Sequence, residues 1–362
     1  MLQNIQLMRA VAAYLVVFYH AQAHINNLNG NSLETHIGAS GVDIFFVISG
    51  FIMVFTSECR ERSTTGFWKD RIIRIVPLYW LATLCMVALS LVGFSPSGLH
   101  GWDATSLFTS LFFLPTIRPD GNFEPILSPG WTLIYEMFFY FLFGLGLLLR
   151  DQLRSVLVIT GLFLALWVTG RVFVPSSYTL AYYMSPLPLE FAAGCFLGLL
   201  YTRSNHFFAK RPHVVAISLF VIGIAVIISS DIFFRGMFMK VPEVRLLVFG
   251  IPAVFIVTAA LILERSGRRY SGCFLLLQGA ASYAVYLFHP LLLQSTFKAG
   301  KILAVDMPVV SLFITLLTLL ALIVVCLGGT LIHLWIEKPL SSILRRTGGG
   351  RHVEAYGAVS KA

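Results

Sequence analysis

The stretch RAVAAYLVVFYH, residues 9–20, is apolar along its length but begins with an arginine and ends with a histidine. An α-helix turns by about 100° per residue, so Arg9 and His20 lie on one face of a helix, about 16 Å apart along its axis. Ionisable residues inside a membrane helix are costly and rare, and by default they indicate function. The stretch therefore predicts a membrane helix that carries functional groups at two depths.

The composition indicates that the whole chain is a membrane protein. Of its 362 residues, 57% are hydrophobic and only 12% are charged, whereas soluble domains carry about 25% charged residues. The apolar stretches near membrane-crossing length are 6–23, 41–57, 75–94, 131–149, 153–173, 187–202, 214–231, 245–263, 279–297 and 309–332. We therefore expect an all-α, polytopic protein with about ten transmembrane helices in one bundle. This membrane domain would comprise residues 1–340, and residues 341–362 would form a disordered tail.

Shorter features complete the predicted organisation. The stretch 106–115 is too short to cross a bilayer and is expected to be interfacial or re-entrant. No small-residue cleavage site follows the first apolar run, which we interpret as a retained helix rather than a signal peptide. His20 and His24 lack the intervening glutamate of an HExxH motif, so no metal site is predicted. The scattered cysteines form no CxxC pair and predict neither disulfides nor a zinc site: Cys59, Cys85, Cys195, Cys273 and Cys326.

The distribution of basic residues predicts the orientation. If the N-terminus is cytoplasmic, 18 of the 26 Lys and Arg residues lie in cytoplasmic segments, seven lie in external ones, and Arg9 lies within the first span. Cytoplasmic loops of membrane proteins carry an excess of Lys and Arg. Both termini are therefore expected in the cytoplasm. The net charge of +9 is then mostly a signal of topology, and no nucleic-acid partner is predicted.

Histidines and carboxylates recur in the outer half of the predicted bundle. His20, Asp43, Glu136 and Glu190 lie on four separate spans, and His289 is close to mid-membrane. Asp43 and Glu190 sit near helix N-termini, where a carboxylate also favours the helix dipole, so structural roles stay open for both. His289 is either functional or a hydrogen-bonded core histidine. Glu136 lies among aromatic residues and needs a partner to be tolerated there.

The inner side of the predicted bundle carries arginines. In FWKDRIIRIVPLYW, residues 67–80, Arg71 and Arg74 are three positions apart and share one helical face. Arg9 lies at a comparable depth on the first span. Planar guanidinium groups bind phosphate through paired hydrogen bonds. The cluster indicates a phosphate site, although a set of positive-inside anchors is the alternative.

Together these motifs resemble those of the acyltransferase-3 family of integral membrane O-acyltransferases. The motifs occur in the expected order and the similarity extends from Arg9 to about Glu337: RAVAAYLVVFYH, GVDIFFVISGFIM, FWKDRIIRIVPLYW, SPGWTLIYEMFFY and SYAVYLFHPLLL. The compact form, without an appended esterase-like domain, is similar to exopolysaccharide acetyltransferases. The resemblance implies transfer of an acyl group, usually acetyl, from cytoplasmic acyl-CoA to a sugar hydroxyl. It also implies a multi-pass protein of the bacterial cytoplasmic membrane, with the lipid bilayer and a carbohydrate or glycolipid acceptor as partners.

The resemblance also assigns residues. It implies that His20 is the catalytic histidine, that Arg9 belongs to its motif, and that Arg71 and Arg74 handle the donor, acetyl-CoA. Glu136 matches the acidic position of a WxLxxE motif.

Our mechanistic hypothesis places the phosphates of coenzyme A at the inner arginines and its extended arm along the first helix. His20 would act as general base, since its unperturbed pKa near 6.5 suits proton transfer at neutral pH, and Glu136 would orient it. Asp43 and His289 would contact substrate or support the site. Candidate donors to the developing oxyanion are Ser49, Tyr283 and Trp131, although Ser49, before a glycine on an apolar helix, also suits a packing or backbone-bonding role.

Other functions and routes stay open at this stage. A transporter of a lipid-linked sugar or of protons would also bury His, Asp and Glu, but no matching broken helices indicate inverted repeats. A binding-only receptor is disfavoured because the polar residues lie within spans. Direct transfer and an acyl-enzyme intermediate are both compatible with the sequence.

Overall fold

The computed structural model describes residues 2–29, 35–58, 63–94, 99, 101–204, 208, 213–234, 236–237, 241–303 and 311–347. Within these ranges the regular structure is entirely helical, which confirms the predicted fold class. The helices are α1 (Gln3–Asn29), α2 (Ser40–Glu58), α3 (Thr64–Leu91), α4 (Ala104–Leu111), α5 (Gly130–Gly146), α6 (Gln152–Val172), α7 (Tyr178–Tyr183), α8 (Pro188–Arg203), α9 (His213–Phe234), α10 (Pro242–Arg265), α11 (Cys273–Leu303), α12 (Ser311–Ile332) and α13 (Lys338–Thr347).

Ten helical stretches account for the predicted spans. In the described part of the chain, nine are long and apolar enough to cross a membrane. The tenth is α1, whose 27 residues measure about 40 Å, enough to cross the hydrocarbon core. Polar residues such as Asn4, Gln6 and Arg9 make α1 less apolar than its neighbours, and all three are buried against other helices. The bundle therefore encloses the polar face of its first helix.

Helix α2 lies at the centre of the bundle, and two glycines explain how closely α8 approaches it. A Cβ atom on Gly194 would lie 2.1 Å from the Val47 carbonyl oxygen, and one on Gly50 would lie 2.0 Å from the Phe191 carbonyl oxygen. Small residues at such crossings let backbones pack directly in membranes, where lipid offers no hydrophobic drive for helix association. By contrast, α6 and α9 present exposed apolar side chains, as helices that face lipid do.

Two predictions about shorter segments have different outcomes. The stretch 106–115 falls mostly in α4, whose eight residues are too few to cross a bilayer, and Asp103 caps this helix by accepting from the backbone N–H of Ser106 at 2.7 Å. At the other end of the chain, α13 continues to Thr347. The first part of the predicted disordered tail is therefore helical, and residues 348–362 lie outside the described ranges.

Candidate active site

Five helices, α1, α2, α3, α5 and α11, surround a cavity of about 80 Å³ inside the bundle. Six of the candidate residues from the sequence line it: Arg9, Ser49, Arg71, Arg74, Glu136 and Tyr283. Further hydroxyl groups come from Thr132, Tyr140, Ser282 and Tyr286, and apolar side chains such as Val42, Phe45 and Phe46 complete the wall. Long-range folding therefore brings together residues that the sequence separates by more than 200 positions.

The arginines give the cavity a positive charge. Arg9 donates from Nη2 to Ser282 Oγ at 2.9 Å and from Nη1 to Gln6 Oε1 at 3.3 Å. Arg71 is buried, with Cζ 5.7 Å from the ring centroid of Phe67 and 5.8 Å from that of Tyr140. Arg74 is half-buried. Among the described lining residues three cations face one carboxylate, Glu136, and a cleft with this balance attracts anions.

Glu136 is held by hydroxyl groups of two helices. Its Oε1 accepts from Ser49 Oγ at 2.7 Å and from the Tyr140 hydroxyl, and the Ser49 and Tyr140 oxygens lie 3.0 Å apart. Ser49 therefore bonds a carboxylate on α5, and this contact packs α2 against α5. Glu136 is accordingly not the group that orients His20 in this structure.

His20 is oriented by its own helix. Its Nδ1 lies 2.9 Å from the Val16 carbonyl oxygen. A carbonyl oxygen only accepts, so this contact assigns the proton to Nδ1 and leaves the lone pair on Nε2, the arrangement that a general base requires.

His289 is the partner of His20 at this level of the bundle. The two rings meet edge to face with centroids 4.8 Å apart. His289 Nδ1 lies 2.7 Å from the Tyr286 carbonyl oxygen, which assigns the Nδ1–H tautomer to this ring as well. Neither histidine lines the cavity, but the ring of Tyr286, which does, lies 6.0 Å from that of His289. The histidine pair is therefore next to the cavity rather than within it.

Asp43 lies away from the cavity in a buried ion pair. Arg245 donates from Nε to Asp43 Oδ1 at 3.0 Å and from Nη2 to Oδ2 at 2.8 Å, and it also bonds the Ala39 carbonyl oxygen at 3.3 Å. The structure therefore gives Asp43 a supporting contact between α2 and α10. Sequence analysis did not single out Arg245, which begins the predicted span 245–263. The need of a buried Asp43 carboxylate for a charged partner could have indicated it.

The lining of the cavity combines cations with hydroxyl groups. Across the described residues, no three His, Cys, Asp or Glu side chains are grouped so that they could hold a metal ion. The arginine-rich lining suits a phosphorylated substrate whose small reactive end enters the bundle.

The fold is that of a multi-pass membrane protein with a polar, arginine-rich site among its helices. A family model of the acyltransferase-3 family, described as an acyltransferase domain, matches residues 2–334, and the chain belongs to this family. The protein is therefore an O-acyltransferase enzyme. This finding excludes a binding-only receptor and disfavours a transporter of a lipid-linked sugar or of protons.

Curated relatives agree with this class. Exopolysaccharide production protein ExoZ of Rhizobium meliloti (strain 1021) is 36% identical over 324 residues, which cover 88% of this chain and 93% of that protein. Acyltransferase MdmB of Streptomyces mycarofaciens is 26% identical and covers 86% of this chain and 83% of that protein. Nodulation protein 10 of Rhizobium leguminosarum bv. viciae is 26% identical, with coverages of 82% and 84%. No solved structure matches the chain significantly.

Proposed function

We propose that this enzyme transfers an acetyl group from cytoplasmic acetyl-CoA to a hydroxyl of an exported polysaccharide or its lipid-linked precursor, in the bacterial cytoplasmic membrane. The observation that carries the proposal is the cavity in which Arg9, Arg71 and Arg74 converge, next to the histidine pair. The name of the relative ExoZ, an exopolysaccharide production protein, supports a glycan acceptor.

The donor would enter at the end of the bundle that carries the N-terminus. The excess of Lys and Arg in the segments at this end supports a cytoplasmic position, where acyl-CoA is available. Arg71 and Arg74 offer planar forks to phosphate oxygens. The pantetheine arm would then extend through the cavity and cover the distance of about 16 Å between the levels of Arg9 and His20.

His20 would supply the acid–base chemistry. Its Nε2 takes the proton of the acceptor hydroxyl while the acceptor oxygen bonds to the thioester carbon. The C–S bond then breaks, and the leaving thiolate receives the proton from His20, so the base is regenerated and no net proton is consumed. The Val16 carbonyl oxygen keeps the reactive tautomer in place and stabilises the transient imidazolium.

Glu136 would organise the donor side rather than the base. Because its Oε1 holds Ser49 and Tyr140, it fixes α2 against α5 at the cavity wall. Its charge also offsets part of the repulsion among the three arginines. Both effects would keep the guanidinium groups in position before the phosphates arrive.

The test is a comparison of donor binding with turnover in purified protein. Acetyl-CoA is titrated into wild type, Arg71→Ala/Arg74→Ala and His20→Ala, and acetyl transfer or acetyl-CoA hydrolysis is assayed in parallel. The matched control is Arg345→Ala/Arg346→Ala, which removes two exposed cations of the predicted cytoplasmic tail, outside the cavity lining. We expect the first double variant to lose affinity, His20→Ala to bind without turnover, and the control to behave as wild type. Absence of wild-type affinity at millimolar donor would refute the proposal.

A further inference from the structure

Acyl transfer needs a hydrogen-bond donor for the oxyanion that forms on the thioester carbonyl. Two donors considered from the sequence are already committed elsewhere. Ser49 Oγ donates to Glu136 Oε1 at 2.7 Å, and the Tyr283 hydroxyl donates to the Ile75 carbonyl oxygen at 2.8 Å. Redirecting either proton to an oxyanion would break a short hydrogen bond, and the bond of Ser49 to a carboxylate is charge-assisted as well. The third, Trp131, does not line the cavity.

Tyr286 is differently placed. Its hydroxyl lies 2.8 Å from Thr132 Oγ1, and either oxygen can be the donor. Both residues line the cavity. Both hydroxyls also reach the Pro129 carbonyl oxygen, Thr132 at 3.0 Å and Tyr286 at 3.4 Å, and this carbonyl accepts the backbone N–H of Thr132 at 3.3 Å as well. Rotation of the two O–H bonds alone can therefore direct the Thr132 proton to the Tyr286 oxygen and the Tyr286 proton to a new acceptor. The Pro129 carbonyl oxygen then still accepts the backbone N–H of Thr132.

The position of Tyr286 matches where the thioester must lie. Its ring centroid is 6.0 Å from that of His289, whose ring is 4.8 Å from that of His20. Tyr286 also lines the same cavity as Arg9, Arg71 and Arg74. In the proposed mechanism the arginines hold the phosphates of acetyl-CoA, and its thioester carbonyl faces the acceptor hydroxyl that His20 activates. This places the carbonyl at the level of Tyr286.

We propose that the Tyr286 hydroxyl, positioned by Thr132, is the donor that stabilises the oxyanion; this inference rests on the proposed function. As the acceptor oxygen bonds to the thioester carbon, its proton passes to His20 Nε2 and the carbonyl electron pair moves onto oxygen. Thr132 then donates to Tyr286, which donates to the oxyanion and keeps its own proton throughout. Collapse restores the carbonyl and expels the thiolate, which takes the proton from His20.

The test separates transition-state stabilisation from donor binding. Tyr286→Phe removes only the hydroxyl, and loss of one oxyanion donor lowers kcat by about 10²- to 10³-fold. We expect this loss of kcat with the Kd for acetyl-CoA within about threefold of wild type. The matched control is Tyr135→Phe, which deletes a buried hydroxyl bonded to the Tyr182 carbonyl oxygen at 3.1 Å, outside the cavity lining; its kcat should be that of wild type.

An unchanged kcat in Tyr286→Phe would overturn the inference, and weaker binding of acetyl-CoA with that unchanged kcat would indicate uniform binding instead. If this variant does not fold, Thr132→Val and Thr132→Ser replace it. A loss of kcat in the valine variant that serine restores supports the inference, and equal activities of the two contradict it. Wild-type transfer that depends on His20 tests the proposed function separately, so failure of either statement is distinguishable from failure of the other.

Discussion

Removal of the Asp43 carboxylate should destabilise the bundle more than the loss of any exposed charge. Asp43 is fully buried and Arg245 is 5% exposed, so Asp43→Asn leaves a guanidinium in the interior without its bidentate partner. Breaking a buried ion pair on one side costs about 3–5 kcal/mol, because the remaining charge stays desolvated. The expected loss in Asp43→Asn is toward the lower end of this range, since Glu190, also buried, is within electrostatic reach of Arg245.

The assay is equilibrium unfolding in mixed micelles, followed by tryptophan fluorescence in a double-mutant cycle. Asp43→Asn and Arg245→Met are compared singly and together. Replacing both members of a buried pair by neutral groups is often nearly neutral, so the double variant should recover most of the stability that either single variant loses. A third variant, Asp43→Asn/Glu190→Gln, leaves Arg245 with neither carboxylate and should be the least stable.

Two results would refute this reasoning. One is a coupling energy below about 1 kcal/mol, which is the range of exposed pairs. The other is a double variant no more stable than the worse single one. The exposed pair of Arg203 and Glu58, with Nε and Oε1 3.5 Å apart, provides the reference, and its cycle should give about 0–1 kcal/mol.

Two further changes test the packing and the charge of the site. Gly194→Val should abolish folding, because its side chain meets the Val47 carbonyl oxygen on α2. The control is Gly161→Val, whose added Cβ has no atom within 4 Å outside its own helix backbone and which should keep the yield of folded protein in detergent. Equal yields would contradict the close crossing of α2 and α8. Glu136 is the one carboxylate among the described residues that line the cavity, and Glu136→Gln removes its charge but preserves an acceptor oxygen for Ser49. Free coenzyme A should therefore bind more tightly at low salt by calorimetry, and weaker binding would show that Glu136 acts through position instead of charge.

Helical geometry explains what the sequence could predict. The shared face of Arg9 and His20, and the pairing of Arg71 with Arg74, follow from the rotation per residue of a single helix. The apolar stretches and their length likewise require no knowledge of neighbours. These local rules predicted the fold class and the three arginines that line the cavity.

The unpredicted contacts are those between helices. Asp43 with Arg245, and Ser49 with Glu136, join residues 202 and 87 positions apart, and no periodicity specifies which helices face each other. Tyr286 lies in the stretch SYAVYLFHPLLL, but its hydrogen bond to Thr132 on α5 is likewise a contact between helices that this stretch does not specify. The predicted contact of Glu136 with His20 was wrong because it rested only on the similar depth expected for the two residues in the membrane.

The separation of the arginines from the histidine pair has a consequence for what crosses the membrane. The arginines line the cavity and the histidine pair lies beside it; with the donor in the cavity, as proposed, the acceptor sugar would approach His20 from the opposite end of the bundle. On the proposed orientation the acyl group is the part that moves from the cytoplasmic side toward the acceptor, while the glycan and the nucleotide stay on opposite sides of Tyr286. Enlarging the wall at this level, by Phe45→Ala, should then relax the choice of acyl group and allow turnover of propionyl-CoA or butyryl-CoA relative to acetyl-CoA. An unchanged ratio of kcat values among these donors would place the acyl group elsewhere in the bundle.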